Sequence, residues 1–235
     1  VTILSSPWPQ LDDVSLGFHP GELILLAGQT KRGRTWVLLT MANAAAQALQ
    51  DERVLIFPTT TPARDVHIRL YALRTKQSYN IVRQSAVDHL AEVGERDDRL
   101  RIMSFDPCKH SPTFEELTKR SGDGYAGLFV DDMMFACSRY KDYRRREIRY
   151  AAELKELAIR RSIPVIATVH SSNNGYAVPQ GLSDHADVVL RLDPFNSLSQ
   201  KPGPRKVIVD AARGFRSGFD ISIKFDPAAG EYGGP

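Results

Sequence analysis

The segment Gly28-Gln29-Thr30-Lys31-Arg32-Gly33-Arg34-Thr35 constrains this chain more than any other. It lies between a short apolar run, residues 23–27, and an Ala- and Leu-rich stretch with helical character, residues 35–49. A strand that turns through glycines into a helix is the context of the phosphate-binding pattern G-x-x-x-x-G-K-[ST]. Glycines let backbone N–H groups wrap a phosphate, and the helix N-terminus adds partial positive charge. Thr35 supplies a hydroxyl suited to Mg²⁺. The pattern departs from the rule at one place, because Arg34 stands where a Lys reaches the β- and γ-phosphates. Arg keeps the charge, but its wide planar head differs from a compact ammonium. Lys31 and Arg32 add positive charge, and Lys31 is a candidate substitute for that ammonium. The expected nucleotide-binding set is Gly28, Lys31, Arg32, Gly33, Arg34 and Thr35, with ATP and Mg²⁺ as weakened ligands.

A second signal lies downstream. Gly127-Leu128-Phe129-Val130-Asp131-Asp132 is an apolar strand ending in carboxylates, the pattern that holds a Mg²⁺ ion and its waters beside a phosphate loop. Thr35 and Asp131 are therefore the expected metal ligands. Asp132 is either a strand-end cap or a group that orients water.

The rest of the chain alternates short apolar runs with helical patterns. Strands are expected at 23–27, 54–57, 100–103, 128–130, 164–169, 188–192, 206–209 and 219–225. Helices are expected at 35–49, 63–73, 81–93, 112–119 and 143–161, the last with Ile148, Ala151, Ala152, Leu154, Leu157 and Ala158 on its apolar side. Strand–helix alternation followed by strands without helices predicts an α/β fold. Its sheet is mostly parallel, flanked by helices, with an antiparallel C-terminal extension. One domain over 1–235 is expected, since no repeat or boundary is visible, with loops at 171–183 and 194–205.

Composition narrows the class. The chain has 235 residues, 42% hydrophobic and 25% charged, with a net charge of +3. That is the make-up of a soluble globular protein, basic enough to permit a nucleic-acid partner without requiring one. Cys108 and Cys137 are too few for a disulfide framework or a four-Cys zinc site. No apolar run reaches the roughly 18 residues of a membrane span. The reading is a reduced, cytoplasmic protein without a membrane partner, from a bacterium or a phage-infected host. A start at Val1 rather than Met leaves room for a longer parent chain, including an N-terminal domain.

Several stretches together resemble the C-terminal motor domain of DnaB-type replicative helicases, within the RecA-like group. Leu11-Asp12-Asp13-Val14-Ser15-Leu16-Gly17-Phe18-His19-Pro20-Gly21-Glu22-Leu23-Ile24 is similar to that family's entry into its first core strand. Residues 147–169 are similar to its long helix and following strand. Asp184-His185-Ala186-Asp187-Val188 is similar to a later strand, and Arg213-Gly214-Phe215-Arg216-Ser217-Gly218 to its late hairpin. The resemblance runs from about Leu11 to Phe225 in one order. It implies a RecA-like fold, ATP and Mg²⁺, single-stranded DNA, and a ring or filament of identical subunits.

The departures bear on activity. Beyond Arg34, Thr60 falls where the family carries its catalytic Glu, and Thr cannot act as a general base for water. His170 falls at the sensor Gln. Ala211 falls at a hairpin Lys, while Arg213 keeps the hairpin Arg. The resemblance thus implies Asp132, His170 and Arg213 as the remaining catalytic candidates. Arg213 and Arg216 are either fingers that reach a neighbouring subunit or solvated hairpin charges.

A basic, Tyr-interleaved stretch enters the long helix and contains Arg139, Lys141, Arg144, Arg145, Arg146 and Arg149. Positive charge interleaved with aromatic faces suits a single-stranded backbone and its bases. The alternative is a solvated helix start, with Asp142 and Glu147 as local partners. Arginines near a helix N-terminus oppose the helix dipole, which favours a role toward a partner.

Three functions are compatible with these residues. The favoured one is a DnaB-like domain with a degenerate ATPase site that serves replication or recombination as a DNA-binding or assembly module. The second is an active ATP-dependent helicase or translocase with relocated catalytic groups. The third is an oligomeric regulatory scaffold with no DNA role.

Overall fold

Alternation along β1 (Leu23–Gly28) sends its side chains to two separate cores. Ile24 and Leu26 enter one, and Leu23, Leu25 and Ala27 enter the other. A strand buried on both faces belongs at the centre of a sheet covered by helices on both sides. The structure, a computed structural model, describes residues 2–29, 33–85, 99–103, 119, 124–133, 142–171, 178, 181–193, 205–226 and 231–233.

The described strands form one sheet of nine. After β1 come β2 (Arg53–Pro58), β3 (Leu100–Ile102), β4 (Tyr125–Asp131), β5 (Val165–His170) and β6 (Val188–Leu192). They are followed by β7 (Arg205–Ala212), β8 (Phe219–Asp226) and β9 (Glu231–Gly233). Their spatial order is β3-β2-β4-β5-β1-β6-β7-β8-β9. Pairing is parallel from β3 to β6 and antiparallel from β6 to β9. The expected parallel sheet with an antiparallel extension is what forms.

Four helices are described along their full length. α1 (Pro9–Ser15) starts with Pro at its first position, where a missing N–H costs nothing. Asp12 accepts the Ser6 N–H on both carboxylate oxygens and fixes the approach to the helix. α2 (Arg34–Ala48) follows the phosphate loop, and α3 (Ala63–Thr75) follows β2. α4 (Tyr143–Arg161) spans the range expected from its periodicity, with Ala151, Leu154, Leu157 and Ala158 fully buried. α1 and α2 share one core with Ile24, Ile56 and Ile166. α4 closes the other face over Leu25, Leu55 and Val165.

Asp187 joins three elements. Its Oδ2 accepts the Leu23 N–H at 2.8 Å and the Lys155 Nζ at 2.6 Å, and that ammonium also donates to the Gly21 carbonyl at 2.7 Å. One carboxylate thereby ties α4 to the starts of β1 and β6. α1 and β9 had no clear pattern in the sequence. Of the helix expected at 81–93, residues 81–85 are helical, and the rest lies outside the described residues. Of the helix expected at 112–119, Lys119 is described and is helical, and residues 112–118 and most of the two expected loops lie outside the described residues.

Candidate functional site

The carboxyl ends of β1, β4 and β5 meet at one edge of the sheet, and α2 begins there. In open α/β sheets this is where ligands bind. Register fixes the neighbours. Gly28 is opposite His170, and Val130 is opposite Ala167. Phe129 lies on the α2 side of the sheet, so Asp131, two residues on, faces α2 as well. Ile166 puts Thr168 and His170 on that same side by the same rule.

Gly33 turns the chain into α2 with φ +91°, a left-handed conformation that L side chains rarely adopt. Gly28 leaves room for the stem of Arg34. A Cβ at Gly28 would lie 3.0 Å from Arg34 Cγ and 3.2 Å from Cδ. The φ of Gly33 favours glycine there, and a side chain at Gly28 would crowd the Arg34 stem. Lys31 and Arg32 lie outside the described residues.

Thr35 and Asp131 come together as the sequence predicts. Thr35 Oγ1 donates to the Asp131 carboxylate, 3.0 Å from Oδ2 and 3.2 Å from Oδ1. Thr168 Oγ1 donates to Oδ1 at 3.0 Å. Burial, and then the Asp132 carboxylate, push the Asp131 pKa above its ordinary 3.8, against the hydroxyls of Thr35 and Thr168 and the charge of Arg34. A hard hydroxyl oxygen and a hard carboxylate oxygen side by side suit Mg²⁺. Among the described residues no group of three His, Cys, Asp or Glu converges on one point. A Mg²⁺ ion here would take Thr35 and Asp131 and complete its shell with phosphate oxygens and water.

The phosphate-contacting cation is placed differently. Arg34 is buried at 8% exposure, and its Nη2 lies 3.3 Å from Asp132 Oδ2. The same Nη2 lies 3.0 Å from His170 Nε2 and 3.3 Å from Nδ1. His170 Nε2 is 2.7 Å from Asp132 Oδ2, a contact that needs the proton on Nε2, since two acceptors would repel at that distance. Arg34 and His170 thus both donate to the Asp132 carboxylate, and with the proton on Nε2 the 3.0 Å between Arg34 Nη2 and His170 Nε2 is a close approach of two donors. Two positions where the sequence departs from the family pattern, Arg34 and His170, meet across this one carboxylate.

Thr59 and Thr168 were not singled out from the sequence. Thr59 Oγ1 accepts the Asp132 N–H at 2.9 Å and donates to the Asp132 carbonyl at 2.7 Å, and its own N–H donates to the Asp131 carbonyl. The Asp131–Asp132 peptide is cis. Thr60, expected from the resemblance at the family's Glu position, is exposed beside it. A signal for Thr168 was present: a hydroxyl inside the apolar run Val165-Ile166-Ala167-Thr168-Val169 is buried only when it has a partner.

Arg213 is not part of this cluster. It is exposed on the turn after β7, where its Nη2 donates to the Asp184 carbonyl at 2.5 Å and its N–H to the Asp187 carbonyl at 2.9 Å. Arg216 is exposed on the same turn. In the basic stretch, Arg139 and Lys141 lie outside the described residues, and Arg144 is described only as a position on α4. Arg145, Arg146 and Arg149 are exposed on the first turns of α4, and Arg149 pairs with Glu153 at 2.9 Å. Glu147, a possible surface partner from the sequence, is buried at 4%. No described helix is long and apolar enough to cross a membrane.

A phosphate-type loop after the central strand, with a carboxylate-ended strand two places away in this order, defines a RecA-like P-loop fold. The matching family model is the DnaB-like helicase C terminal domain, over residues 4–174, and the chain belongs to that family. It is 27% identical over 184 residues to the replicative DNA helicase DnaB of Mycoplasma genitalium, which covers 72% of this chain and 39% of that one. It is 21% identical over 255 residues to the DnaB of Haemophilus influenzae, covering 96% and 54%. The chain therefore spans about half or less of the length of these relatives. A solved DnaB-like replicative helicase, described with its interactions with primase, superposes with a TM-score of 0.80 at 15% identity, covering 100% of this chain and 62% of that one. A KaiC-like protein of Pyrococcus horikoshii superposes with a TM-score of 0.70 at 16% identity, covering 99% of each chain.

Proposed function

We propose that this chain is a DnaB-family motor fold that no longer turns over ATP efficiently and that serves DNA replication as a single-stranded-DNA-binding or assembly module. The observation that carries this reading is the inward turn of Arg34. Arg34, the cation at the motif's Lys position, is held by the Asp132 carboxylate. Thr60 adds to it, since no general base stands where the family's Glu would act. Losing a base and an electrostatic stabiliser together removes several powers of ten in rate. The exposed Arg145, Arg146 and Arg149 support binding to a single-stranded backbone, and the family supports a ring or filament of subunits.

A second reading, an active motor, is favoured by the intact pair of Thr35 and Asp131. In it Asp132 orients the attacking water and Arg213 reaches a neighbouring subunit. The two readings separate in one assay. ATP hydrolysis is measured with Mg²⁺, with and without single-stranded DNA, in the parent chain, in Asp131→Asn and in Arg34→Lys/Thr60→Glu. The module reading expects no DNA-stimulated turnover in the parent and a gain in the double variant. DNA-stimulated turnover in the parent that disappears in Asp131→Asn would establish the motor instead.

A further inference from the structure

Arg34 is the most buried cation of the site among the described residues, and its guanidinium is only partly used. Nη2 faces Asp132, while Nη1 is buried without a hydrogen-bond partner among the described residues. A buried guanidinium nitrogen with no acceptor is costly, so Nη1 calls for an anion that the described residues do not supply. Asp132 is the anion that already occupies the Nη2 side. Its carboxylate is 10% exposed and sits at the end of β4, with its backbone clamped on both sides by Thr59. His170 braces the same carboxylate oxygen from β5. The arrangement is a cation at a helix N-terminus, beside a glycine turn, facing a fixed oxyanion. That is the chemistry of a phosphate site in which the protein supplies the oxyanion.

We propose that Asp132 is a tethered anion that occupies Arg34 in place of phosphate, so that the site holds a phosphoanion only when Asp132 is displaced or neutralised. This deepens the reading of an impaired ATPase and rests on it. The ligand class is a phosphoanion with at least two adjacent charged oxygens, the set that a guanidinium edge grips in bidentate fashion. An intramolecular carboxylate competes at high effective concentration, so a free anion enters poorly against it. With the carboxylate gone, Arg34 keeps its stem over Gly28 and offers both of its Nη groups.

The probe is inorganic pyrophosphate without metal, titrated by calorimetry. Fluorescence gives a parallel reading, since Trp36 follows Thr35 directly and the chain's other Trp, Trp8, is fully buried. The proposal expects Asp132→Asn to bind pyrophosphate about tenfold or more tightly than the parent, the size of effect that one released charge pair produces. It expects Arg34→Ala/Asp132→Asn to lose that gain. Should Asp132→Asn fail to fold, His170→Ala, which removes one brace from Asp132, is expected to show a smaller gain of the same sign. Unchanged affinity in the folded variant, or a gain that survives removal of Arg34, overturns the tether. ATP turnover by the parent tests the underlying reading separately. A silent parent with no gain in Asp132→Asn defeats the tether alone. An active parent defeats the impaired-ATPase reading, whatever the pyrophosphate result.

Discussion

Asp131 is held where its charge is expensive. Burial and the adjacent Asp132 raise its pKa above 3.8, so the folded chain holds this proton more tightly than the unfolded chain does. The sign follows by linkage. Between the unfolded and the folded pKa the native state binds more protons, and stability falls as pH rises through that window. Above the folded pKa the whole cost is present. Asp131→Asn, which keeps an oxygen for Thr35 and Thr168, is therefore expected to melt higher than the parent near pH 7. The gap should close toward about pH 4, and each kcal/mol gained is worth about 2–4 °C at this chain length. Thermal melts across pH check it, and a lower melting point for Asp131→Asn near pH 7 would contradict it. Thr59 acts on the neighbouring residue. Thr59→Val removes a buried hydroxyl that both accepts from and donates to the Asp132 backbone. A loss of about 1–3 kcal/mol is expected in denaturant titrations, with recovery in Thr59→Ser.

At the scale of elements, a few buried polar contacts decide how helices lie on the sheet. Asp187→Ala would leave the Leu23 N–H and the Lys155 ammonium without their shared acceptor. A cost of about 1–3 kcal/mol is expected in denaturant titrations, and earlier hydrogen exchange at the start of β1 should accompany it. The α3 side uses a different device. Arg69 lies over the Trp36 ring at 5.4 Å and the Tyr79 ring at 5.6 Å, and the two rings meet edge to face. This cation–π cluster joins the first turn of α2 to α3 and to the helical residues 79–85. Arg69→Ala is expected to weaken that joint by about 0.5–2 kcal/mol and to change Trp36 fluorescence, while leaving the parallel strands intact.

For the whole molecule, the parallel half and the antiparallel half carry different tasks. The parallel strands bring Asp131 and His170 to the edge where α2 presents Arg34 and Thr35, and the antiparallel strands extend the sheet, with Arg213 on the turn after β7. On the module reading, reversing Arg145, Arg146 and Arg149 to Glu should weaken single-stranded DNA binding uniformly across sequences. It should also flatten the salt dependence by about two to three in slope on a single strand. Unchanged DNA affinity in that variant would favour the scaffold reading.

Much of the fold was legible in the residues, because its signals are local. Apolar runs bounded by turns mark β1, β2, β5 and β6, and the 3.6-residue spacing of Ala151, Leu154 and Ala158 sets α4. The phosphate loop and the carboxylate-ended strand were likewise visible as ordered motifs, and the pairing of Thr35 with Asp131 followed from them. The N-terminal α1 was not, since seven residues with two neighbouring acids carry little helical pattern, and the helix is held by packing of Trp8 and Leu11. The sequence by itself determined which chemical groups this site has: a Thr, two Asp, a His and an Arg. Only the tertiary structure decided what they do to each other. Arg34, Asp132 and His170 lie far apart along the chain on α2, the end of β4 and the end of β5. Parallel pairing at a sheet edge is what brings a cation, a carboxylate and an imidazole within hydrogen-bond reach, and no local pattern encodes that distance.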